Sequence, residues 1–250
     1  MRAVHILLDR RGFKIHIQKI NMPEPSKFRA MTAAKLHLLR LWRSQAAGKR
    51  RDPIEFVRVA PTEIAVGLLG FQVLTPPFFP GQDGVAGFID RGAKTIGVIS
   101  KGGLGAHRFT LAHEIGHVVL HTGERYFRDR SLSAPGSGMG TPAYEIEADA
   151  FAAELLMPRK MLRDVFSQLF GDFIDTGDPD PELADAVSNT DKQWGAFEFS
   201  AAAPLEQAKA IARARYFKSV HFTPLAALFQ VSATAMGIQL LETGCVRPPR

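Results

Sequence analysis

The chain has little cysteine and no long hydrophobic run. Cys245 is the only cysteine among its 250 residues, so no disulfide can form within the chain and nothing points to an oxidising compartment. The longest largely apolar stretch, Ile64 to Leu74, is far shorter than the roughly 20 residues that span a bilayer. Residues 1–14 contain only a short apolar patch, unlike a secretory signal. We therefore expect a cytoplasmic protein with no membrane partner.

The net charge of +6 is unevenly distributed. Residues 1–58 contain fourteen Lys or Arg against four Asp or Glu, whereas residues 59–204 contain eleven against nineteen. A basic segment can indicate nucleic acid or an acidic protein surface. No nucleic-acid motif accompanies it, and residues 35–51 have the pattern of an amphipathic helix, so a solvated basic helix is favoured over a DNA-binding arm.

What the chain does contain is His113-Glu114-Ile115-Gly116-His117. Residues four apart lie one turn apart on the same face of a helix, so His113 and His117 can bind one metal ion. Glu114 is close enough in phase to act on a water at that metal, as the general base of a metallopeptidase does. The motif predicts two ligands and one catalytic carboxylate.

Helical phase separates the two faces of this segment. Leu111, Ile115 and Val118 form an apolar face, and His113 and His117 lie on the opposite side. Thr110 is a suitable N-cap for a helix that begins at Leu111. Core histidines would share the apolar face, so the phase favours the metal interpretation.

A catalytic zinc usually takes a third protein ligand. His121 continues the four-residue spacing, but it lies eight residues from His113, a rise of about 12 Å along a helix. Position 123, where an extended motif has a third histidine, is Gly123. We therefore predict that His121 supports or packs against the site and is not a ligand.

The third ligand is predicted on a second helix, between Thr141-Pro142 as its start and Met157-Pro158 as its stop signal. Its glutamates 145 and 147 lie about 200° apart, so only one of them can face the metal. Asp149 follows Glu145 by one turn and could orient a ligand histidine, as zinc sites require. We favour Glu145 as ligand with Asp149 behind it, and Glu147 is the alternative ligand.

Two blocks, residues 108–117 and residues 145–158, resemble the ImmA/IrrE family of zinc metallopeptidases. The likeness covers roughly residues 60–160, with a weaker match near the C-terminus. It implies a gluzincin-like core in which His113, His117 and Glu145 bind zinc and Glu114 is the catalytic base. Family members characteristically cleave a helix-turn-helix repressor of their own circuit, so the resemblance implies such a protein as substrate.

The expected fold is α+β, with a zincin-like, mostly helical core and a small three-stranded antiparallel sheet over 71–75, 85–90 and 95–100. Helices are expected over 26–45 and 61–69. Four parts are expected: a basic, partly helical arm (1–58), the metallopeptidase core (59–160), an acidic insertion or linker (161–204) and a helix-turn-helix-like C-terminal element (205–250). The second helix of that element has no basic residue, so docking is favoured over DNA binding.

The predicted function is zinc-dependent endoproteolysis, in which Glu114 activates a zinc-bound water. The alternative is a regulatory DNA- or repressor-binding protein whose zinc site is not catalytic. Tyr144, His121, Tyr126 and His107 are all candidates to stabilise the oxyanion, and the sequence does not rank them.

Overall fold

The computed structural model describes residues 24–45, 52–75, 85–99, 103–122, 126–130, 142–190, 199 and 202–248. Residues 1–23 of the expected basic arm lie outside these ranges. No helix in the described ranges is both long enough and apolar enough to cross a membrane.

Helices dominate the described chain. In order they are α1 Pro25–Ser44, α2 Pro53–Glu63, α3 Gly103–Leu120, α4 Ala143–Leu156, α5 Arg159–Phe170, α6 Pro181–Thr190, α7 Pro204–Arg213, α8 Leu225–Leu228 and α9 Ala233–Thr243. Alpha-helix α2 continues into a π-helical turn, Ile64–Leu68. The strands are β1 Gln72–Leu74, β2 Val85–Asp90, β3 Thr95–Val98, β4 Tyr126–Arg130, β5 Ile174–Asp175, β6 Tyr216–Phe217, β7 Val220–His221 and β8 Val246–Arg247.

The main sheet is mixed and four-stranded, so the expected three-stranded antiparallel sheet was wrong. Its order is β1-β3-β2-β4; β2 pairs antiparallel with β3 and β4, whereas β1 runs parallel to β3. The three expected strands are present, at slightly shorter bounds for β1 and β3. The expected direction of β1 was wrong because strand direction depends on the path of the connecting residues. Strand β4 was missed because it is a charged edge strand without the apolar alternation that marks a buried strand.

The metal-motif helix is longer than its cap signal indicated. Helix α3 begins at Gly103, not Leu111, so Thr110 lies inside it and is not its N-cap. Its first turns pack closely: a Cβ on Gly105 would lie 2.6 Å from the backbone of Val231. Tertiary packing therefore extends the helix past a residue whose type favours a helix start.

The preceding helix also begins earlier than expected. Asp52 caps α2 by accepting hydrogen bonds from the backbone N–H groups of Ile54 and Glu55, and Pro53 occupies the first helical position. The expected start near Pro61 was wrong because this proline lies inside the helix. The cap at Asp52 and the proline at position 53 therefore set the start of α2, and Pro61 does not.

Helix α1 packs along α4 in one continuous core. Ala30 and Ala34 of α1 are fully buried in the same cluster as Phe151 and Leu155 of α4. The expected buried stripe of α4 is confirmed, because its four members are fully buried: Ala148, Phe151, Ala152 and Leu155. Helix α1 itself agrees with the expected 26–45 to within one residue.

The C-terminal part joins this core at several points. Strand β8 pairs parallel with β5, and Leu183 and Val187 of α6 are buried in the shared core. Helix α8 is a single turn, and Ser232 caps α9 by accepting from the backbone N–H of Ala235. Whether α8 and α9 act as a helix-turn-helix stays a prediction.

Candidate metal centre

Helices α3 and α4 approach each other closely at the metal motif. A Cβ on Gly116 would lie 3.1 Å from Cα of Ala148, so glycine at this position lets the two backbones pack in near contact. His113 and His117 are buried because α4 covers their face of α3. The sequence separated an apolar face from a histidine face correctly, but both faces are covered by protein.

Three side chains meet between these helices. The Nε2 atoms of His113 and His117 are 2.9 Å apart. The Oε2 atom of Glu145 lies 3.1 Å from Nε2 of His113 and 3.5 Å from Nε2 of His117. Ligand atoms of all three residues lie within 4.8 Å of one another, so one metal ion could contact all of them. Two imidazoles with one carboxylate form a recognised donor set for catalytic zinc.

The charge state of Glu145 suits a ligand. Burial by itself would raise the pKa of Glu145, but hydrogen bonds with His113 and His117, together with their charge, hold that pKa well below its usual range. Its carboxylate is therefore the favoured form, as metal binding requires.

Asp149 contacts the far side of one imidazole. Its Oδ1 atom lies 2.8 Å from Nδ1 of His113, one turn along α4 from Glu145. A proton on Nδ1 can be donated to this carboxylate, which leaves Nε2 of His113 free to face a metal. This is the position that the sequence predicted for Asp149.

Glu114 is fully buried beside strand β2. Its carboxylate lies so close to Gly87 that a Cβ on that glycine would be 2.2 Å from Glu114 Oε1. The backbone of β2 therefore limits where the Glu114 side chain can lie. Gly87 was not identified from the sequence, because its position in β2 shows nothing unusual without knowledge of what packs on it.

Glu147 of α4 faces away from the three converging atoms. Glu147 Oε2 lies 2.9 Å from Nε2 of His121, and His121 Nδ1 lies 2.9 Å from Nδ1 of His117. Arg29 Nη2 of α1 donates to the same Glu147 oxygen at 2.5 Å. Burial opposes the charged form of Glu147, but His121 and Arg29 lower its pKa overall. Glu147, the alternative ligand, thus contacts His121 and not the paired Nε2 atoms.

Arg91 fastens the C-terminal end of α3. It lies in the turn after β2 and donates to the backbone carbonyls of His117, Val118 and His121. Carbonyls at a helix end generally lack further helical donors, so Arg91 supplies donors there, although the His117 carbonyl also accepts from the backbone N–H of His121. Nothing in the local sequence identified Arg91, because the partners lie 26 to 30 residues away.

Two of the described oxyanion candidates, Tyr144 and His121, lie beside each other at the metal motif. The ring centroid of Tyr144 lies 6.1 Å from those of both His117 and His121, and 43% of Tyr144 is exposed. His107 Nε2 lies 3.2 Å from Oγ1 of Thr75, and the side chain of Tyr126 lies outside the description. Of the three described candidates, Tyr144 is both beside the metal-site histidines and open to solvent.

Comparison with known proteins identifies a family match over the region that contains α3 and α4. Residues 69–174 match the Peptidase_M78 family model, described as the IrrE N-terminal-like domain. No curated protein matches the chain. Among solved structures, a Mycobacterium tuberculosis transcriptional regulator is similar at 16% identity, over 60% of this chain and 46% of that chain, with a TM-score of 0.36. The chain thus spans less than half of that regulator.

Proposed function

We propose that this chain is a zinc-dependent endopeptidase, because residues 69–174 match the Peptidase_M78 family model, described as the IrrE N-terminal-like domain. The observation that carries the proposal is that His113, His117 and Glu145 meet between α3 and α4. A further acid, Glu114, lies on α3 next to His113. The family match supports a metallopeptidase, and the donor set supports zinc as its metal.

Each residue has a distinct task in this proposal. His113, His117 and Glu145 would hold a zinc ion, which would supply Lewis-acid chemistry by polarising the scissile carbonyl and acidifying the attacking water. Glu114 accepts the proton of the attacking water and transfers it to the leaving amine. A fourth protein ligand would indicate a closed, structural site. Cys245, the chain's only cysteine, belongs to the segment before β8 and is not part of the described cluster.

The proposed substrate is a helix-turn-helix repressor. The resemblance of the two motif blocks to the ImmA/IrrE family supports this, since its members cleave repressors of their own circuit. The rival proposal, a DNA-binding regulator, is weakened by the pairing of three of the five cations of α1 with acids of the same chain. Lys27, Arg29 and Lys35 are paired with Glu242, Glu147 and Glu154 of the same chain, so they are less available to phosphates.

Two substitutions test the proposal. The Glu114→Gln variant should bind zinc like the parent protein but should no longer cleave the repressor, whereas the His117→Ala variant should lose both properties. Zinc content is measured by atomic absorption, and cleavage by electrophoresis of a helix-turn-helix repressor incubated with the protein. Full proteolysis by the Glu114→Gln variant would disprove the mechanism. Operator-DNA shift by the intact protein without repressor cleavage would favour the DNA-binding alternative.

A further inference from the structure

A chain of polar contacts leads from the metal site to helix α1. It begins at Nδ1 of His117, 2.9 Å from Nδ1 of His121, and continues from Nε2 of His121 to Glu147 Oε2 at 2.9 Å. It ends at Arg29, whose Nη2 lies 2.5 Å from the same oxygen. Three helices or their ends contribute to it: α3, α4 and α1.

The chemistry of the groups sets the direction of these hydrogen bonds. If Nε2 of His117 faces a metal, the proton of that imidazole is on Nδ1, which must donate to an acceptor. Nδ1 of His121 can accept only as an unprotonated nitrogen, so the proton of neutral His121 lies on Nε2. That N–H faces a carboxylate, Glu147, which is a charge-assisted acceptor. Every group in the chain then has a compatible partner.

The Nδ1 atoms of the two proposed ligand histidines are therefore linked to a carboxylate through different numbers of side chains. His113 contacts a carboxylate directly, through Asp149. On its Nδ1 side, His117 reaches a carboxylate through the ring of His121, which lies just beyond the end of α3, where helices fray most readily. A longer series of hydrogen-bonded side chains needs a fixed group, an anchor, at its far end, because each added side chain has rotamers of its own.

Helix α1 supplies that anchor. It lies outside residues 69–174, yet its alanines pack in the core against α4, and two of its cations, Arg29 and Lys35, pair with acids on α4. The Glu147 side chain is 10% exposed and that of Arg29 is 61% exposed, so the anchor is a cation at the surface holding a nearly buried carboxylate.

We propose that His121, Glu147 and Arg29 form a relay that orients His117, so that α1 is a working part of the metal centre and not an appendage to it. This inference rests on the proposed metal site at His113, His117 and Glu145. The three relay residues are positioning residues, since they act on the metal only through His117.

The test measures zinc binding directly, in the full-length chain, by competition with a chromophoric chelator. His121→Ala and Glu147→Ala should weaken zinc binding about 10-fold or more, as loss of a ligand's supporting partner does. Arg29→Ala should weaken it about three- to fivefold, a smaller loss, because the Arg29 side chain itself is 61% exposed. Arg29→Lys should restore most of the affinity, since a single cation–carboxylate contact is enough.

Lys35→Ala is the matched control. Lys35 also pairs α1 with a carboxylate of α4, Glu154, and its side chain is 58% exposed, close to the 61% of Arg29. The pair does not include a residue of the relay. Lys35→Ala should therefore leave zinc affinity within about twofold of the parent protein, because it removes an ion pair of similar exposure without touching the contacts of His117.

A spectroscopic measurement covers the case in which a variant fails to fold. Long-range nitrogen–proton NMR of the zinc-loaded parent protein should show His121 as the tautomer protonated on Nε2, and His117 protonated on Nδ1. A His121 ring protonated on Nδ1 would overturn the relay. So would folded His121→Ala and Glu147→Ala variants that bind zinc as tightly as the parent.

These outcomes are separate from those of the proposed function. Zinc binding without repressor cleavage would reject the peptidase and leave the relay standing. Normal cleavage with unchanged zinc affinity in the variants would reject the relay alone. A parent protein that binds no zinc would reject both.

Discussion

Gly87 of β2 and Glu114 of α3 fit together only because position 87 has no side chain. A Cβ there would lie 2.2 Å from Glu114 Oε1 and 2.9 Å from its Cδ, distances that real Cβ atoms do not adopt. The strand backbone thus forms one wall of the space that holds the proposed catalytic base. Carboxylate position is decisive in catalysis, where a displacement of 1 Å can cost about 100-fold in rate.

The Gly87→Ala substitution should therefore reduce repressor cleavage about 100-fold by displacing Glu114. Zinc affinity should change much less, because the paired Nε2 atoms contact Glu145 on the other helix. The control is Gly67→Ala, where no atom lies within 4 Å of the added Cβ. Cleavage rates and chelator competition on both variants check this prediction; unimpaired cleavage after Gly87→Ala would contradict it.

Asp149→Ala should weaken zinc binding about 10- to 100-fold, because Nδ1 of His113 would lose its carboxylate partner. Asp149→Asn should be milder, since an amide oxygen can still accept that hydrogen bond. Chelator competition measures both. Asp164→Ala removes an exposed acid of α5 paired with Lys160, and it should have no effect. Equal zinc affinity in the Asp149→Ala and Asp164→Ala variants would show that Asp149 does not support His113.

Arg108→Ala should lower the free energy of unfolding by about 3 kcal/mol or more, because several buried acceptors lose their donor together. Arg108 is buried and donates to the backbone carbonyls of Phe229, Gln230, Val57 and Arg58. Burial, followed by the charge of Arg58, lowers the pKa of Arg108 to about 10, so the guanidinium stays charged at neutral pH.

Urea denaturation followed by circular dichroism measures this change. Arg40→Ala is the control, since Arg40 is exposed on α1 and its loss should alter stability by no more than about 0.5 kcal/mol. If the two variants unfold at the same urea concentration, Arg108 does not join α2, α3 and the C-terminal part as its contacts indicate.

Glu154→Gln should change stability in a pH-dependent way. Glu154 is 1% exposed, and burial raises its pKa above the ordinary 4.5 even though Lys35 and Arg159 favour the charged form. The stability that neutral Glu154 contributes is complete below pH 4.5 and is lost as pH rises through the raised folded-state pKa. Glutamine cannot ionise, so the variant avoids this loss.

The measurement compares the free energy of unfolding of parent and Glu154→Gln proteins across pH 4 to 8. We expect the difference to move in favour of the variant as the pH rises. Asp172→Asn, at an exposed acid between α5 and β5, should show no such trend. A difference that is constant with pH, or that moves in favour of the parent, would contradict the raised pKa.

Much of the site follows from local pattern. The spacing of His113 and His117 places them on one face of a helix whatever the rest of the fold does, and phase places Glu145 and Glu147 on different sides of α4. The structure agrees with this geometry: Glu145 contacts both histidines, and Glu147 contacts His121. Such features depend on residues within two turns of one another, which sequence alone can relate.

Other features needed the tertiary structure. The sequence alone determined which face of α3 and of α4 carries the polar residues, because helical geometry relates neighbours in the chain, but it did not determine where α3 begins. The parallel pairing of β1 with β3, the close approach of Gly87 to Glu114 and the contact of Arg29 with Glu147 join residues 23 to 118 positions apart. No periodicity connects residues at such separations. Only packing of the whole core decides which of them meet.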